Sequence, residues 1–348
     1  MLRGKFFFGV RSWKKGKIQP IFLIIIILIF VILGIYITEK AKKGIPEVNY
    51  QLKIEAAQIM QQAIEVIKSH RVNKINPRYD PNFTGLIGKE FTPITTSTGN
   101  LIAKRTATNP DWAAVLVEMF MELGLKEGDI VAAGASASFP GLIIATMSAA
   151  KAMNLKLILI SSIGASQWGA NDPEFTWPDM EKLLFKKGIF PYRSIAISMG
   201  GDDDRGINYF GNEEQVFMSI IKRSGLQLIY EKSLTESIKK RMELYNKYTK
   251  GDHIKVFVNI GGASANVGTC EHSLKISNGL QRTLPPCNHS TKGVIFHMAE
   301  RGIPVIHLLN IRTLAFKYGL PIDPIPLPKI GQSKIYQYSQ VMRTGVND

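Results

Sequence analysis

The sequence predicts an α/β protein with a doubly wound, mostly parallel, Rossmann-like sheet, preceded by one N-terminal transmembrane helix. Two observations predict the sheet: from Asp129 onward, short buried apolar runs alternate with helical stretches, and each run ends in small or polar residues. A third predicts the helix before it, since Ile18 to Ile37 is apolar except for Gln19 and Pro20 near its start.

At ~1.5 Å rise per residue that run just crosses a hydrocarbon core of ~30 Å. The residues after it, Thr38-Glu39-Lys40-Ala41-Lys42-Lys43, are charged and carry no small-x-small cleavage site, so an uncleaved signal anchor is expected. Arg3, Lys5, Arg11, Lys14, Lys15 and Lys17 precede the run, whereas Lys40, Lys42 and Lys43 follow it. This bias puts the N-terminus in the cytoplasm and everything after about Thr38 outside. The 348 residues then divide into a basic cytoplasmic tail (1–17), the anchor (18–37), a juxtamembrane amphipathic helix (38–75), the α/β domain (76–330) and an extended tail (331–348). Of the net charge of +15, residues 1–53 carry +8, so the folded part is only moderately basic. No low-complexity segment or solenoid repeat interrupts the chain.

Gln51 to His70 places Leu52, Ala56, Ile59, Ala63, Ile64 and Ile67 on one helical face. Asn76 to Thr98, rich in Pro, Gly and Thr, reads as a loop entering a short strand around Leu101 to Ala103. Asn109 and Pro110 start a helix that Gly124 ends. Asp129 to Ala133 is a strand, Gly134 to Ser138 a turn of small residues, and Phe139-Pro140-Gly141 opens a helix to about Asn154, with Ser138 its expected N-cap. Leu155 to Ile160 completes a βαβ unit. Later helices end at Gly188 and Gly225, and another spans Thr235 to Lys250. Leu226 to Tyr230, Ile254 to Ile260 and Ile303 to Leu309 read as strands, with the helix Lys292 to Arg301 before the last. Pro321 to Pro328 is an extended segment.

In an open parallel sheet, ligands bind outside the carboxyl ends of the strands, where strand order reverses. The polar residues of this chain collect at those ends. Gly134-x-Ser136-x-Ser138 sits where a nucleophile elbow would, with Ser138 in place of the second glycine. One of Asp202, Asp203 and Asp204, then His307, follow in the order of a serine triad, so Ser136, Asp203 and His307 form a candidate catalytic set. The same serines would equally satisfy turn N–H groups, and His307 would equally serve as a core histidine. Asp202 to Asp204 places three carboxylates in a row after a strand, a cluster that would take a divalent cation such as Mg²⁺ or Ca²⁺ through Asp202 and Asp204, or form a solvated turn. Gly261, Gly262, Ser264 and Asn266 belong to a loop that lets a ligand approach the backbone, but it lacks the lysine of a P-loop and the spacing of a dinucleotide fingerprint. Lys104 and Arg105, with Gly134, Ser138 and Ser166, are candidate anion-binding residues. Cys270-x-His272 and Cys287-x-His289 would hold Zn²⁺ only at an unusual spacing, and a disulfide is the simpler reading for an exported domain.

Several strings taken together resemble the poly-γ-glutamate system protein family over about Glu55 to Pro328. They are Ala103-Lys104-Arg105-Thr106, Gly134 to Pro140, Gly164-Ala165-Ser166 with Gly169-Ala170-Asn171, Pro173-Glu174-Phe175-Thr176-Trp177, Gly200 to Arg205, Asn259 to Asn266 and Pro304-Val305-Ile306-His307. The resemblance implies a membrane-associated accessory to synthesis, export or release of the anionic polymer poly-γ-glutamate, and supplies no catalytic residues. The expected partners are then the polymer, other membrane subunits of the synthase or export complex, and the membrane, with no nucleic acid among them. Two other readings stay open: a metal-dependent or phosphate-binding α/β enzyme of the cell envelope, and a non-catalytic assembly factor.

Overall fold

The computed structural model describes residues 20–42, 49–208 and 211–337, in two compact units, Met1–Ile45 and Pro46–Asp348. The basic segment 1–17 and residues 338–348 lie outside the described residues.

In the first unit, helix α1 (Pro20–Lys42) runs for 23 residues, and its described side chains, Ile21 to Tyr36, are exposed. Among the described residues no helix is long and apolar enough to cross a membrane, so the fold by itself does not show the expected anchor.

The second unit is α/β. It begins with α2 (Tyr50–Arg71), which buries Ala56, Met60, Ala63, Ile64 and Ile67 in the main core. Next come α3 (Leu101–Thr106) and α4 (Asp111–Glu122). The central βαβ unit is β1 (Ile130–Ala135), α5 (Pro140–Ala152) and β2 (Lys156–Ser162), followed by α6 (Trp177–Lys186) and β3 (Ala196–Ser198). A two-stranded hairpin of β4 (Ile207–Asn208) and β5 (Gly211–Asn212) leads to α7 (Glu214–Ser224), β6 (Gln227–Ile229) and α8 (Leu234–Thr249). The last elements are β7 (Ile254–Ile260), α9 (Ser264–Val267), β8 (Gly279–Gln281), α10 (Val294–Ala299), β9 (Val305–Leu308) and α11 (Ile311–Lys317).

Seven strands form one sheet in the order β6-β3-β2-β1-β7-β9-β8, parallel except for β8. The chain winds outward from β1 to β6, then returns to β7 on the other flank of β1. The order therefore reverses between β1 and β7, and the crevice outside their carboxyl ends is the expected ligand position. Alternate residues of one strand serve opposite faces: Val131 and Ala133 join the core under α2, α4 and α5, whereas Ile130 and Ala132 join the core under α8 and α10. A sheet covered on both faces has no solvent side, which is why these strands read as continuous apolar runs.

Two local expectations are corrected. Leu101 to Ala103 is not a strand but the first turn of α3, because Asn100 Oδ1 accepts from Ala103 N at 2.9 Å and caps it. Ser138 is not the N-cap of α5; Phe139 holds that position with Pro140 next, and Ser138 Oγ instead accepts from Ser166 N at 2.9 Å. The cysteines are joined as Cys270–Cys287, which leaves no thiolate for Zn²⁺.

Asp204 is a fastening of the fold. Its Oδ1 accepts from Ser198 Oγ at 2.7 Å, and its Oδ2 accepts from Ser237 Oγ at 2.6 Å and lies 2.9 Å from Arg241 Nη2, with all four side chains buried. This ties the loop after β3 to α8. In urea melts of the full-length chain, Asp204→Ala is expected to lower the unfolding free energy by about 3–5 kcal/mol, the cost of stranding a buried partner charge. A loss below ~1 kcal/mol would show that Arg241 is rehydrated instead.

Candidate active site

At the carboxyl ends of β1, β2, β3 and β7 lies a cavity of about 310 Å³, roughly the lower limit of a small-molecule pocket. The turn after β1 contributes Ser136, Ser138 and Phe139; the end of β2 and the loop after it, Ser162, Gly164 and Ser166; the loop after β3, Gly200, Gly201 and Asp202; the loop after β7, Gly262, Ala263 and Ser264. The loop Thr96–Asn100 and Lys104 of α3 close it from the side. The lining is dominated by hydroxyls and glycine backbone.

Lys104 is the cation of this cavity. Its Nζ donates to the main-chain oxygen of Ser138, meets Ser166 Oγ at 2.6 Å and sits 3.9 Å from the centre of the Phe139 ring. The side chain is only 4 % exposed and these partners are neutral. Burial therefore pushes the lysine down to about 7, so the amine and ammonium forms coexist near neutrality. In the ammonium form Nζ donates to Ser166 Oγ; in the amine form the hydroxyl proton points back at nitrogen. Ser166 is held from the other side as well, since Ser138 Oγ takes its main-chain N–H and itself accepts from Ser136 Oγ at 2.8 Å. The three serines and the lysine thus form one connected chain.

Of the residues singled out in the sequence, Lys104, Ser136, Ser138, Ser166, Asp202, Gly262 and Ser264 come together around the cavity. Lys104 is not an ordinary exposed base, because it is buried against Ser166 on the cavity wall. Arg105, next to it, faces elsewhere: its guanidinium pairs with both carboxylate oxygens of Asp323. Gly134 lies in β1, where a Cβ would sit 2.5 Å from Asn266 Oδ1; it makes room for Asn266, and neither lines the cavity. Gly261 packs on Ser136, its position for a Cβ lying 3.1 Å from the serine Cβ.

The expected triad is not assembled. His307 is buried in β9, and its Nδ1 accepts from Asn259 Nδ2 at 2.8 Å. Burial pushes this imidazole down to about 4, so it is neutral at neutral pH. The hydrogen bonds of Ser136 Oγ run to Ser138, not to His307. Asp203 is exposed at φ 52° and touches neither. The cation pair Asp202 and Asp204 also separates, because Asp204 turns inward to Arg241 while Asp202 stays exposed at the cavity wall. Among the described residues no group of three His, Cys, Asp or Glu side chains is placed to hold a metal ion.

The sequence had no signal for the Lys104–Ser166 pairing, since 62 positions separate the two residues. Phe139 was visible only as the start of a helix, although its ring supplies much of the apolar wall against the lysine.

The lysine also gives a sign to the pH dependence of stability. Its folded value of about 7 lies below the ordinary 10.5, so between those two pH values the unfolded chain binds more protons than the folded one. Stability relative to Lys104→Met is therefore expected to rise with pH across that window, by about 1.4 kcal/mol per pH unit at most. Chemical melts of both chains between pH 6 and pH 11, on the order of the window set by the two values, would measure this; parallel curves would show that the lysine binds its proton equally well folded and unfolded.

No family model and no curated protein matches the chain. Among solved structures, a multiple substrate aminotransferase from Thermococcus profundus aligns at 13 % identity over 72 % of this chain and 48 % of its own, with a TM-score of 0.16. The chain thus spans about half the length of that enzyme, and the likeness is too slight to bear on activity.

Proposed function

We propose that this domain is a serine–lysine amide hydrolase or transferase acting on a carboxylate-bearing polyamide, with poly-γ-glutamate as its substrate class. The observation that carries the chemistry is Lys104 Nζ buried at 2.6 Å from Ser166 Oγ in a cavity at the switch point of the sheet. A lysine desolvated to about 7 is poised as a general base near neutrality. The choice of polymer rests on the family resemblance of the sequence strings.

In the first half-reaction Ser166 Oγ attacks the amide carbonyl carbon while its proton passes to neutral Lys104. The tetrahedral intermediate collapses as the C–N bond breaks, and the lysine ammonium returns that proton to the leaving amine nitrogen. In the second half, water attacks the acyl ester, giving a proton to Lys104; the C–Oγ bond breaks and Ser166 is reprotonated. If an amine replaces water, the chain is transferred rather than hydrolysed. Ser138, itself held by Ser136, positions Ser166 by accepting its main-chain N–H.

The same reading places the protein in the cell membrane as a single-pass protein, with α1 its anchor, the N-terminus cytoplasmic and the catalytic domain outside, beside the membrane subunits of a synthesis or export complex. The apolar run 18–37 and the excess of bases before it support this placement. A C-terminal alkaline phosphatase fusion is expected to be active; an inactive fusion alongside a functional cytoplasmic reporter at the same position would reverse the orientation.

For the activity, purified full-length protein is mixed with poly-γ-glutamate and chain length is followed by size-exclusion chromatography. Ser166→Ala and Lys104→Met are each expected to lose cleavage by about 10³-fold or more, the scale on which a nucleophile or its base acts, whereas Ser136→Ala loses about tenfold. The rate of the parent should rise as pH passes through about 7, where the lysine loses its proton. Polymer left intact by the parent chain, or cleavage that survives Ser166→Ala, would discard the mechanism.

A further inference from the structure

The helix that carries the lysine is short, and a strap from the far end of the chain holds it. α3 has six residues, with Lys104 and Arg105 adjacent in its last turn. After α11 the chain passes over it and reaches Asp323. Arg105 Nε donates to Asp323 Oδ1 at 2.7 Å, and Nη2 pairs with Oδ2, both side chains being less than one-fifth exposed. Asp323 N donates to Thr106 Oγ1 at 3.0 Å. One residue thus grips the two positions that directly follow Lys104.

Asp323 adopts φ 49°, in the left-handed region that costs a residue other than glycine of order 1 kcal/mol. Such a conformation persists where its surroundings over-determine it, and here the three bonds to α3 do so. Beyond Asp323 the strap is fixed independently. Asn82 Nδ2 donates to Pro324 O at 2.8 Å, Tyr336 Oη donates to Asp111 Oδ1 at 2.6 Å, and Lys53 Nζ donates to Ile335 O at 2.9 Å. Asp323 is therefore a fixed post against which α3 is set.

Neighbouring residues on a helix point ~100° apart, so Arg105 can be held outside while Lys104 points into the cavity. A helix with its side chains is ~10–12 Å across, so turning it by ~20° moves a side-chain tip by about 2 Å. A misplacement of ~1 Å can cost ~10²-fold in rate. We infer that Asp323, acting through Arg105 and Thr106, is a positioning residue that sets the rotation of α3 and hence the meeting of Lys104 Nζ with Ser166 Oγ. The inference rests on the serine–lysine reading for its effect on rate, though not for its effect on the lysine itself.

The test compares the full-length parent with Asp323→Ala, Asp323→Asn and the swapped pair R105D/D323R. One readout is the pH dependence of Lys104 reactivity toward a trace of acetic anhydride, mapped by peptide mass spectrometry, which needs no activity. The other is steady-state cleavage of the polymer. In Asp323→Ala the reactivity midpoint of Lys104 should move upward by about one pH unit or more, and kcat should fall at least tenfold with KM within about twofold. The swapped pair should recover both. Should Asp323→Ala fail to fold, Asp323→Asn keeps the main-chain bond to Thr106 and the packing, and should show a smaller shift in the same direction. A folded variant whose Lys104 midpoint and kcat match the parent overturns the inference. If cleavage proves independent of Ser166, the serine–lysine reading falls, while the Lys104 midpoint alone still decides whether Asp323 positions the lysine.

Discussion

An ammonium group held out of water without a counter-charge is the constraint around which this site is arranged. Lys104 has a main-chain oxygen, a serine hydroxyl and an aromatic face for company, and none of these repays the loss of hydration as a carboxylate would. The consequence is a group that gives up its proton readily, held beside a hydroxyl. Each neighbour maintains that state: Phe139 excludes water, Ser138 supplies the carbonyl, and Ser138 Oγ fixes Ser166 by its main-chain N–H. Two carboxylates of the surrounding loops are engaged elsewhere. Asp204 is committed to Arg241, and Asp323 to Arg105.

The sheet makes this arrangement possible. Because strand order reverses between β1 and β7, the loops after β1, β2, β3 and β7 diverge around an open crevice instead of packing over it. Small residues are needed there for steric reasons. At Gly164 a Cβ would lie 2.5 Å from Thr96 Cγ2 and 2.8 Å from Met199 O, so the loop after β2 can pass between its neighbours only as glycine. The glycine-rich strand ends that suggested a ligand loop in the sequence thus serve first to bring backbones together, and the cavity lies between the loops so joined.

Several polar groups that looked catalytic turn out to bind the scaffold. His307 and Asn259 form a buried pair on adjacent strands, and the neutral imidazole accepts a hydrogen bond inside the sheet. The carboxylates of Asp80, Asp111 and Glu181 are buried as well and accept from nearby side chains, so burial of an acid is not a mark of function in this protein. What distinguishes Lys104 is its place on the wall of an open cavity and its contact with the hydroxyl of a serine whose main-chain N–H is held by Ser138 Oγ.

The sequence by itself determined the class of fold and most of its elements. The run Ile254 to Ile260 emerged as β7 with the bounds read from its apolar residues, and β1, α5 and β2 followed the pattern of strand, small-residue turn and proline-opened helix. It also located the crevice, since polar residues after buried strands have one place to go in a doubly wound sheet. Local chemistry misled it at Leu101, where an asparagine cap outweighed a short apolar run, and at Ser138, whose hydroxyl was drawn to Ser166 rather than to its own helix. Tertiary structure alone decided which polar residues meet. Spacing along a chain carries no information on contacts closed by long loops, and Lys104 with Ser166, Arg105 with Asp323 and Asp204 with Arg241 are all of that kind. The lowered proton affinity of Lys104 was equally invisible, because it comes from the water its neighbours exclude and not from the lysine.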